Sequence, residues 1–172
     1  MAKNKEKCYE NYPPSFIILA NALQISIYVI GVFIINLIGT FWLVLYLMFL
    51  IYSEIKLLKK SCVNCCYYGK RCAFGRGNIC SLFFRKGSPK EFINRKISWK
   101  DILPSFMVSI IPAIAGIVLL IVHFNRVLLF LVILLFLLTS FGNGFVRGSL
   151  ACKYCKQRKL GCPAEKLFNK EK

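Results

Sequence analysis

The sequence predicts an all-α integral membrane protein with four transmembrane helices, arranged as two tandem parallel helical hairpins, each followed by a cytoplasmic cysteine-rich segment. Three observations support this fold class. The chain is 57% hydrophobic, a three-cysteine motif occurs twice, and three long runs contain no Asp, Glu, Lys or Arg. These charge-free runs are residues 16–53, 102–125 and 127–146. A helix that crosses a bilayer needs about 20 mostly apolar residues, and soluble domains rarely contain such runs.

The first charge-free run follows an N-terminal segment of residues 1–15 that is expected to be cytoplasmic. The run is long enough for two helices, and Asn36, Gly39 and Thr40 interrupt it near its middle. Asn and Gly favour turns because they tolerate the backbone conformations that turns require. We therefore predict helices over residues 16–35 and 39–58, which form a first transmembrane hairpin within residues 16–58.

The segment between the hairpins divides into two parts. Residues 59–87 are predicted to form a cysteine-rich cytoplasmic loop, and residues 88–101 an amphipathic helix on the membrane surface. Ser88 can cap a helix, and Pro89 suits the first helical position. Trp99 and the basic residues around it are typical of a membrane interface.

The second hairpin is predicted within residues 102–146, with helices over 102–122 and 127–146 and a turn at residues 123–126. A cysteine-rich cytoplasmic tail, residues 147–172, follows it. The tripeptide Pro14-Ser15-Phe16 recurs ninety residues later as Pro104-Ser105-Phe106, at the same offset as the cysteine motif. Two helices return the chain to its starting side, so the repeats should be parallel and related by an axis along the membrane normal.

The basic residues predict the orientation. Of the 24 lysine and arginine residues, only Arg126 lies between the two helices of a predicted hairpin, and the others flank the hairpins on the opposite side. Because basic residues near helix ends are retained in the cytoplasm, both termini and both cysteine motifs should be cytoplasmic. The formal charge of +17 then indicates attraction to anionic lipid head groups, not binding to nucleic acid.

The repeated motif is C-x2-C-x6-C. It comprises Cys62, Cys65 and Cys72 in the first copy and Cys152, Cys155 and Cys162 in the second. The cytoplasm is reducing, so closely spaced cysteines there more often bind a metal or perform redox chemistry than form structural disulfides. A C-x2-C turn can direct two thiolates at one ion, and the third cysteine can supply a further ligand.

Four thiolates complete a tetrahedral site, and each copy of the motif supplies only three. The first repeat has two additional cysteines, Cys66 and Cys80. We therefore expect two metal sites. One would use Cys62, Cys65, Cys72 and Cys80; the other would use Cys152, Cys155 and Cys162 with Cys66. Cys8 lies outside the repeat and receives no role.

The metal could be zinc or iron in an iron–sulfur cluster. C-x2-C pairs in loops are typical of structural zinc, whereas the Gly-rich and aromatic neighbours of the first motif, such as Gly69 and Gly75, offer backbone amides that donate to cluster sulfur. An iron–sulfur protein would exchange electrons with a cytoplasmic or membrane redox partner. A zinc protein would be a stabilised membrane interaction module.

Other functions remain open at this level. The sequence has one His and no acid–base or nucleophilic catalytic constellation, which leaves an enzymatic role uncertain and confined to redox chemistry. Transport of a soft metal ion is an alternative, although the charge-free runs contain no cysteine and only two isolated methionines, Met48 and Met107. Thiol–disulfide exchange at the C-x2-C pairs is another alternative.

Overall fold

A computed structural model describes residues 8–94 and 99–162, and these residues are predominantly helical. Seven α-helices follow in chain order: α1 Pro14–Asn36, α2 Thr40–Leu57, α3 Arg76–Phe83, α4 Pro89–Asn94, α5 Trp99–Val122, α6 Arg126–Leu137 and α7 Lys156–Gly161. Three π-helical segments lie between them: Leu58–Cys62, Leu138–Gly142 and Phe145–Cys152.

Four helical stretches are long and apolar enough to cross a membrane, as the charge-free runs predict. They are Pro14–Asn36, Thr40–Cys62, Leu103–Val122 and Arg126–Cys152. At most 28% of the most apolar 18-residue window of each stretch is buried within the chain, so most of this apolar surface is exposed. The prediction of four helices long and apolar enough to cross a membrane is confirmed, which is consistent with a multi-pass membrane protein.

The two interhelical turns lie where the sequence predicts them. α1 ends at Asn36, and Gly39 has a φ of 146°, a conformation that residues with a Cβ rarely adopt. In the second turn, the side chain of Asn125 accepts a hydrogen bond of 2.8 Å from the amide of Val127 and caps α6.

The helices extend beyond the apolar runs at their other ends. α2 continues as a π-helical turn to Cys62, and the fourth stretch continues to Cys152, so both helices carry the chain into a cysteine motif. The predicted surface helix over residues 88–101 includes residues 95–98, which lie outside the described residues. Within the described part, α4 covers Pro89–Asn94 and Trp99 begins α5.

The chain forms two compact units, of which one comprises residues 21–56 and 99–145. Its core has two buried clusters. In the first, Ile27, Ile30 and Ile34 of α1 pack with Leu128 and Leu135 of α6. The second joins α1, α2 and α5 through four buried residues, which are Ile35, Tyr46, Leu50 and Val108.

A proline within α5 explains a polar contact in this core. Pro112 has no amide hydrogen, so the carbonyl of Val108, four residues earlier, has no α-helical donor. The hydroxyl of Tyr46 on α2 donates a hydrogen bond of 2.7 Å to that carbonyl. Gly31 on α1 leaves room for it, because a Cβ there would lie 2.5 Å from the Tyr46 hydroxyl oxygen. A carbonyl that lacks a donor is costly in a membrane, and Tyr46 supplies one.

We expect Tyr46→Phe to lower the free energy of unfolding by about 1 kcal/mol in a protein with Pro112 and by less in a Pro112→Ala protein. Alanine restores an amide that can occupy the Val108 carbonyl, so the tyrosine becomes dispensable. A double-mutant cycle measured by SDS-induced unfolding in bicelles tests this coupling. Equal costs in the two backgrounds would contradict the pairing.

Candidate cysteine site

The second compact unit contains every cysteine of the chain. It comprises residues 8–20, 57–94 and 146–162 in the described part, so the N-terminal segment and both cysteine motifs fold together. None of the nine cysteines, all of which lie within the described residues, forms a disulfide. Its buried core consists of Tyr12, Tyr67, Ala73 and Ala151, with several cysteines packed around them.

The two cysteine motifs have the same local backbone. Each follows a π-helical segment that ends at its first cysteine, Cys62 or Cys152. In each, the amide of the second cysteine donates to the carbonyl of the first, at 3.3 Å from Cys65 to Cys62 and 3.2 Å from Cys155 to Cys152. The next turn is also alike, since the amide three residues after Cys65 or Cys155 donates to the carbonyl of that cysteine. Both C-x2-C sequences therefore form the same compact turn.

Backbone amides point at cysteine sulfur atoms in both motifs. The amide of Gly77 donates to Cys72 Sγ at 3.4 Å. Burial raises the pKa of Cys155 to about 11, and the amides of Gln157 and Arg158 oppose that shift by donating to its sulfur. Amides in this position stabilise a thiolate, which is the form that binds metals.

Four thiols of the first repeat are neighbours. Cys80 lies on α3, is fully buried, and has its sulfur 3.8 Å from the carbonyl oxygen of Leu58. Burial raises the pKa of Cys80, and the adjacent thiols of Cys65 and Cys72 add to the shift. Cys72, Cys80 and Cys65 likewise interact electrostatically with the sulfur of Cys62. The four residues predicted for the first site therefore lie within electrostatic range of one another.

These thiols do not form a ready-made metal site. Among the residues that the structure describes, no three Cys, His, Asp or Glu side chains form a group that could hold a metal ion.

A reciprocal pair of hydrogen bonds joins the two motifs. The amide of Lys156 donates to the hydroxyl of Tyr67 at 3.0 Å, and the amide of Cys66 donates to Oε1 of Gln157 at 3.0 Å. Position 157 is ninety residues after position 67, and position 156 is ninety residues after position 66, which is the offset of the cysteine motifs. Equivalent side chains therefore accept from equivalent amides, as in an isologous interface.

The same contact brings Cys66 close to the second motif. The thiols of Cys65 and Cys66 share a hydrogen bond, which raises the pKa of Cys65 and lowers the pKa of Cys66. Cys155 is also an electrostatic neighbour of Cys66. This is the cysteine that the sequence assigns across the repeat, and the structure brings it to the second motif.

Aromatic rings and arginines surround the thiols. Tyr12 and Tyr67 are buried, with ring centroids 5.7 Å apart. Phe74 is flanked by two guanidinium groups, with Arg76 at 5.7 Å and Arg147 at 5.5 Å from its ring centroid. A positive surround of this kind favours negatively charged thiolate centres.

Sequence reasoning gave no role to two residues that lie beside the cysteine motifs, Gln157 and Cys8. Gln157 lies in the strongly polar stretch Lys156–Lys159, which is typical of a solvated surface, yet only 2% of it is exposed. Alignment of the repeats, which pairs Gln157 with the aromatic Tyr67, is the signal that could have identified it. Cys8 has no repeat equivalent, and its place beside Cys155 depends on tertiary contacts.

Of the eight predicted ligands, Cys152 is exposed and Cys162 is half-buried just after α7. The backbone before Cys162 lies against α4, since a Cβ at Gly161 would be 3.3 Å from Cγ2 of Ile93.

No protein-family model, curated protein or solved structure matches this chain.

Proposed function

We propose that this protein is a multi-pass membrane metalloprotein that holds two cysteine-ligated centres at the cytoplasmic surface. The observation that carries the proposal is the reciprocal pairing of Tyr67 with Lys156 and of Gln157 with Cys66. This pairing joins two identical C-x2-C turns in one compact unit. Packing alone would not require cysteines with the same spacing on the same C-x2-C backbone turn in both halves.

The first centre is formed by Cys62, Cys65, Cys72 and Cys80. The neighbouring positions of these thiols support this set. The second centre takes Cys66 from the first motif together with thiols of the second motif, for which the sequence predicts Cys152, Cys155 and Cys162. Binding draws each set of thiols toward one ion or cluster and releases their protons, because only thiolates act as ligands.

The cytoplasmic side is proposed from charge. All basic residues except Arg126 lie at or beyond the hairpin ends opposite the interhelical turns, and the N-terminal segment, the first motif and the second motif share one compact unit. Basic residues at that surface would hold it against anionic head groups. The reducing cytoplasm keeps the thiols available for a metal.

Iron–sulfur clusters and zinc are the two groups that such thiolates hold. The amide-to-sulfur hydrogen bonds at Cys72 and Cys155 are of the kind that sets the potential of a cluster. With clusters, the protein would take one electron from a donor and pass it to a membrane acceptor, with iron cycling between ferric and ferrous. With zinc, the compact unit would be a rigid surface that docks a cytoplasmic protein.

Anaerobic purification of the full chain in detergent tests the proposal by metal analysis and visible absorption. We expect two centres per chain, brown with broad visible absorption if they are iron–sulfur and colourless if they are zinc. Cys80→Ser and Cys66→Ser should each lose one centre. Unchanged metal content in both variants, or a wild-type protein without metal, would contradict the proposal.

Thiol–disulfide exchange is the second candidate, favoured by the hydrogen-bonded pair of Cys65 and Cys66. The lowered pKa of Cys66 makes its half-buried sulfur the more nucleophilic of the two. This function predicts metal-free protein that cycles between dithiol and disulfide and reduces a disulfide substrate. Cys66→Ser would abolish that activity.

A further inference from the structure

The N-terminal arm, residues 8–12, is bound to both cysteine motifs. The amide of Tyr9 donates to the carbonyl of Tyr154 at 3.1 Å, and Tyr9 forms a parallel β-bridge with Cys155. The hydroxyl of Tyr12 donates to the carbonyl of Ala151 at 2.5 Å. On the other side, the amide of Tyr12 donates to the carbonyl of Arg71 at 2.9 Å. The arm therefore lies across the place where the motifs meet.

This path places Cys8 beside the second motif. Its Sγ is 4.0 Å from the carbonyl oxygen of Cys155, and the side chain is half-buried. The hydroxyl of Tyr67 donates a hydrogen bond of 2.5 Å to the carbonyl of Tyr9, the residue that follows Cys8, and so holds this part of the arm in place. Cys8, Cys66 and Cys155 are all electrostatic neighbours of that hydroxyl.

Cys152 lies near the other buried hydroxyl, that of Tyr12. Cys155, Cys152 and Cys8 are electrostatic neighbours of the Tyr12 hydroxyl. Cys8 and Cys155 are therefore neighbours of both hydroxyls. Cys152 is a further neighbour of the Tyr12 hydroxyl, and Cys66 is a further neighbour of the Tyr67 hydroxyl. These four sulfur atoms come from three separate parts of the chain.

A buried donor points to an anionic group at this place. Gln157 is 2% exposed, and within the described part of the chain its Nε2 has no hydrogen-bond partner. The oxygen of the same amide is 3.0 Å from the Cys66 amide and 3.9 Å from Cys65 Sγ. A buried amide N–H without an acceptor is unfavourable, and thiolate sulfur would provide one.

Cys162 has a different setting. It follows α7, and the preceding Gly161 has a φ of 103° and lies against Ile93 of α4. α7 thus leads the chain from Cys155 to a place beside α4. The N-terminal arm, by contrast, runs alongside Cys155 itself.

We propose that Cys8 is the fourth thiolate of the second centre, with Cys66, Cys152 and Cys155, and that the N-terminal arm closes this centre over a soft metal ion. This inference rests on the proposed function and replaces Cys162 as a ligand. The arm then contributes both a ligand and, through Tyr12, a buried ring to the wall of the site.

Cadmium binding to the full chain tests the assignment, because Cd²⁺ prefers thiolates and gives a thiolate charge-transfer absorption. The protein is purified in detergent, stripped of metal under reducing conditions and titrated with Cd²⁺. Wild type and Cys162→Ser should each bind two ions, whereas Cys8→Ser should bind one. The ion that Cys8→Ser retains, in the first centre, shows that the unit remains folded.

Thiol protection provides a readout on the unmodified protein. In the cadmium-loaded wild type, we expect Cys8 to be protected from maleimide labelling and Cys162 to be labelled, as determined by mass spectrometry of peptides. The inference is overturned if Cys8→Ser binds two ions, if it binds none, or if Cys162 is protected while Cys8 reacts. A wild-type protein that binds no cadmium overturns the proposed function as well.

Discussion

Replacing Gly77 with alanine is expected to abolish the proposed first centre and to lower the free energy of unfolding by about 3 kcal/mol. A Cβ at this position would overlap the carbonyl oxygens of Tyr67 and Lys70. The backbone around these oxygens is held in place, because the amide of Lys70 donates to the Tyr67 carbonyl at 3.0 Å and the amide of Gly69 donates to the Gly77 carbonyl at 3.1 Å. The measurements are thermal unfolding in detergent and metal content.

The loss should reach the sulfur atoms through the backbone. The amide of Gly77 donates to Cys72 Sγ, and Cys80 follows three residues later on α3. A displaced Gly77 therefore moves one ligand and deprives another of its donor, while the second motif keeps its own turn. We expect the variant to retain one of the two centres.

Gly148→Ala is the matched control. Gly148 belongs to the same compact unit and lies in the π-helical segment Phe145–Cys152. A Cβ added there would have no neighbouring atom within 4 Å. Its unfolding temperature and metal content should match those of the wild type. Equal effects of the two substitutions would show that the close packing around Gly77 does not support the centre.

The helical framework could be predicted from the sequence because bilayer spanning depends on local composition. A run without charge is visible in the sequence, and Gly39 and Asn125 mark the turns by their own chemistry. The ends of the second and fourth spans were harder to predict. These spans continue beyond the predicted ends, residues 58 and 146, to Cys62 and Cys152 through π-helical segments, and hydropathy does not report π-helical hydrogen bonding.

The candidate site was predictable only in part. The repeated spacing identifies Cys62, Cys65 and Cys72 as a group, and the structure brings these thiols together with Cys80. The path of the N-terminal arm depends on bonds between residues far apart in sequence, such as Tyr9 to Tyr154. No local pattern encodes such a contact, and Cys8 therefore appeared unconnected.

The reciprocal contact also provides a physical reason for the presence of two copies of the cysteine motif. A single C-x2-C turn would leave the amide at position 66 or 156 without the partner that the other copy provides. Each copy satisfies a backbone donor of the other, and burial of these donors becomes possible only when both are present. The two motifs should therefore stabilise each other.

Tyr67→Ala is the second substitution with a large expected effect, about 3–5 kcal/mol in the free energy of unfolding. The ring is 3% exposed and packs against Tyr12. Its hydroxyl donates to the Tyr9 carbonyl and accepts from the Lys156 amide, so it joins the arm, the first motif and the second motif. We expect the arm to detach, with faster hydrogen exchange at Tyr9 and Lys156.

Tyr67→Phe separates the hydroxyl from the ring, and Tyr68→Phe is its control. Removing the Tyr67 hydroxyl leaves the Lys156 amide without its acceptor and should cost about 1–3 kcal/mol. The Tyr68 hydroxyl donates a hydrogen bond of 2.6 Å to the carbonyl of Phe84, which is 16 residues later in the chain, so this bond does not join the motifs. Hydrogen exchange at Lys156 should therefore accelerate in Tyr67→Phe and stay unchanged in Tyr68→Phe. If hydrogen exchange at Lys156 were the same in both variants, the contact between the two motifs would not depend on the Tyr67 hydroxyl. Aromatic packing would then be what holds the motifs together.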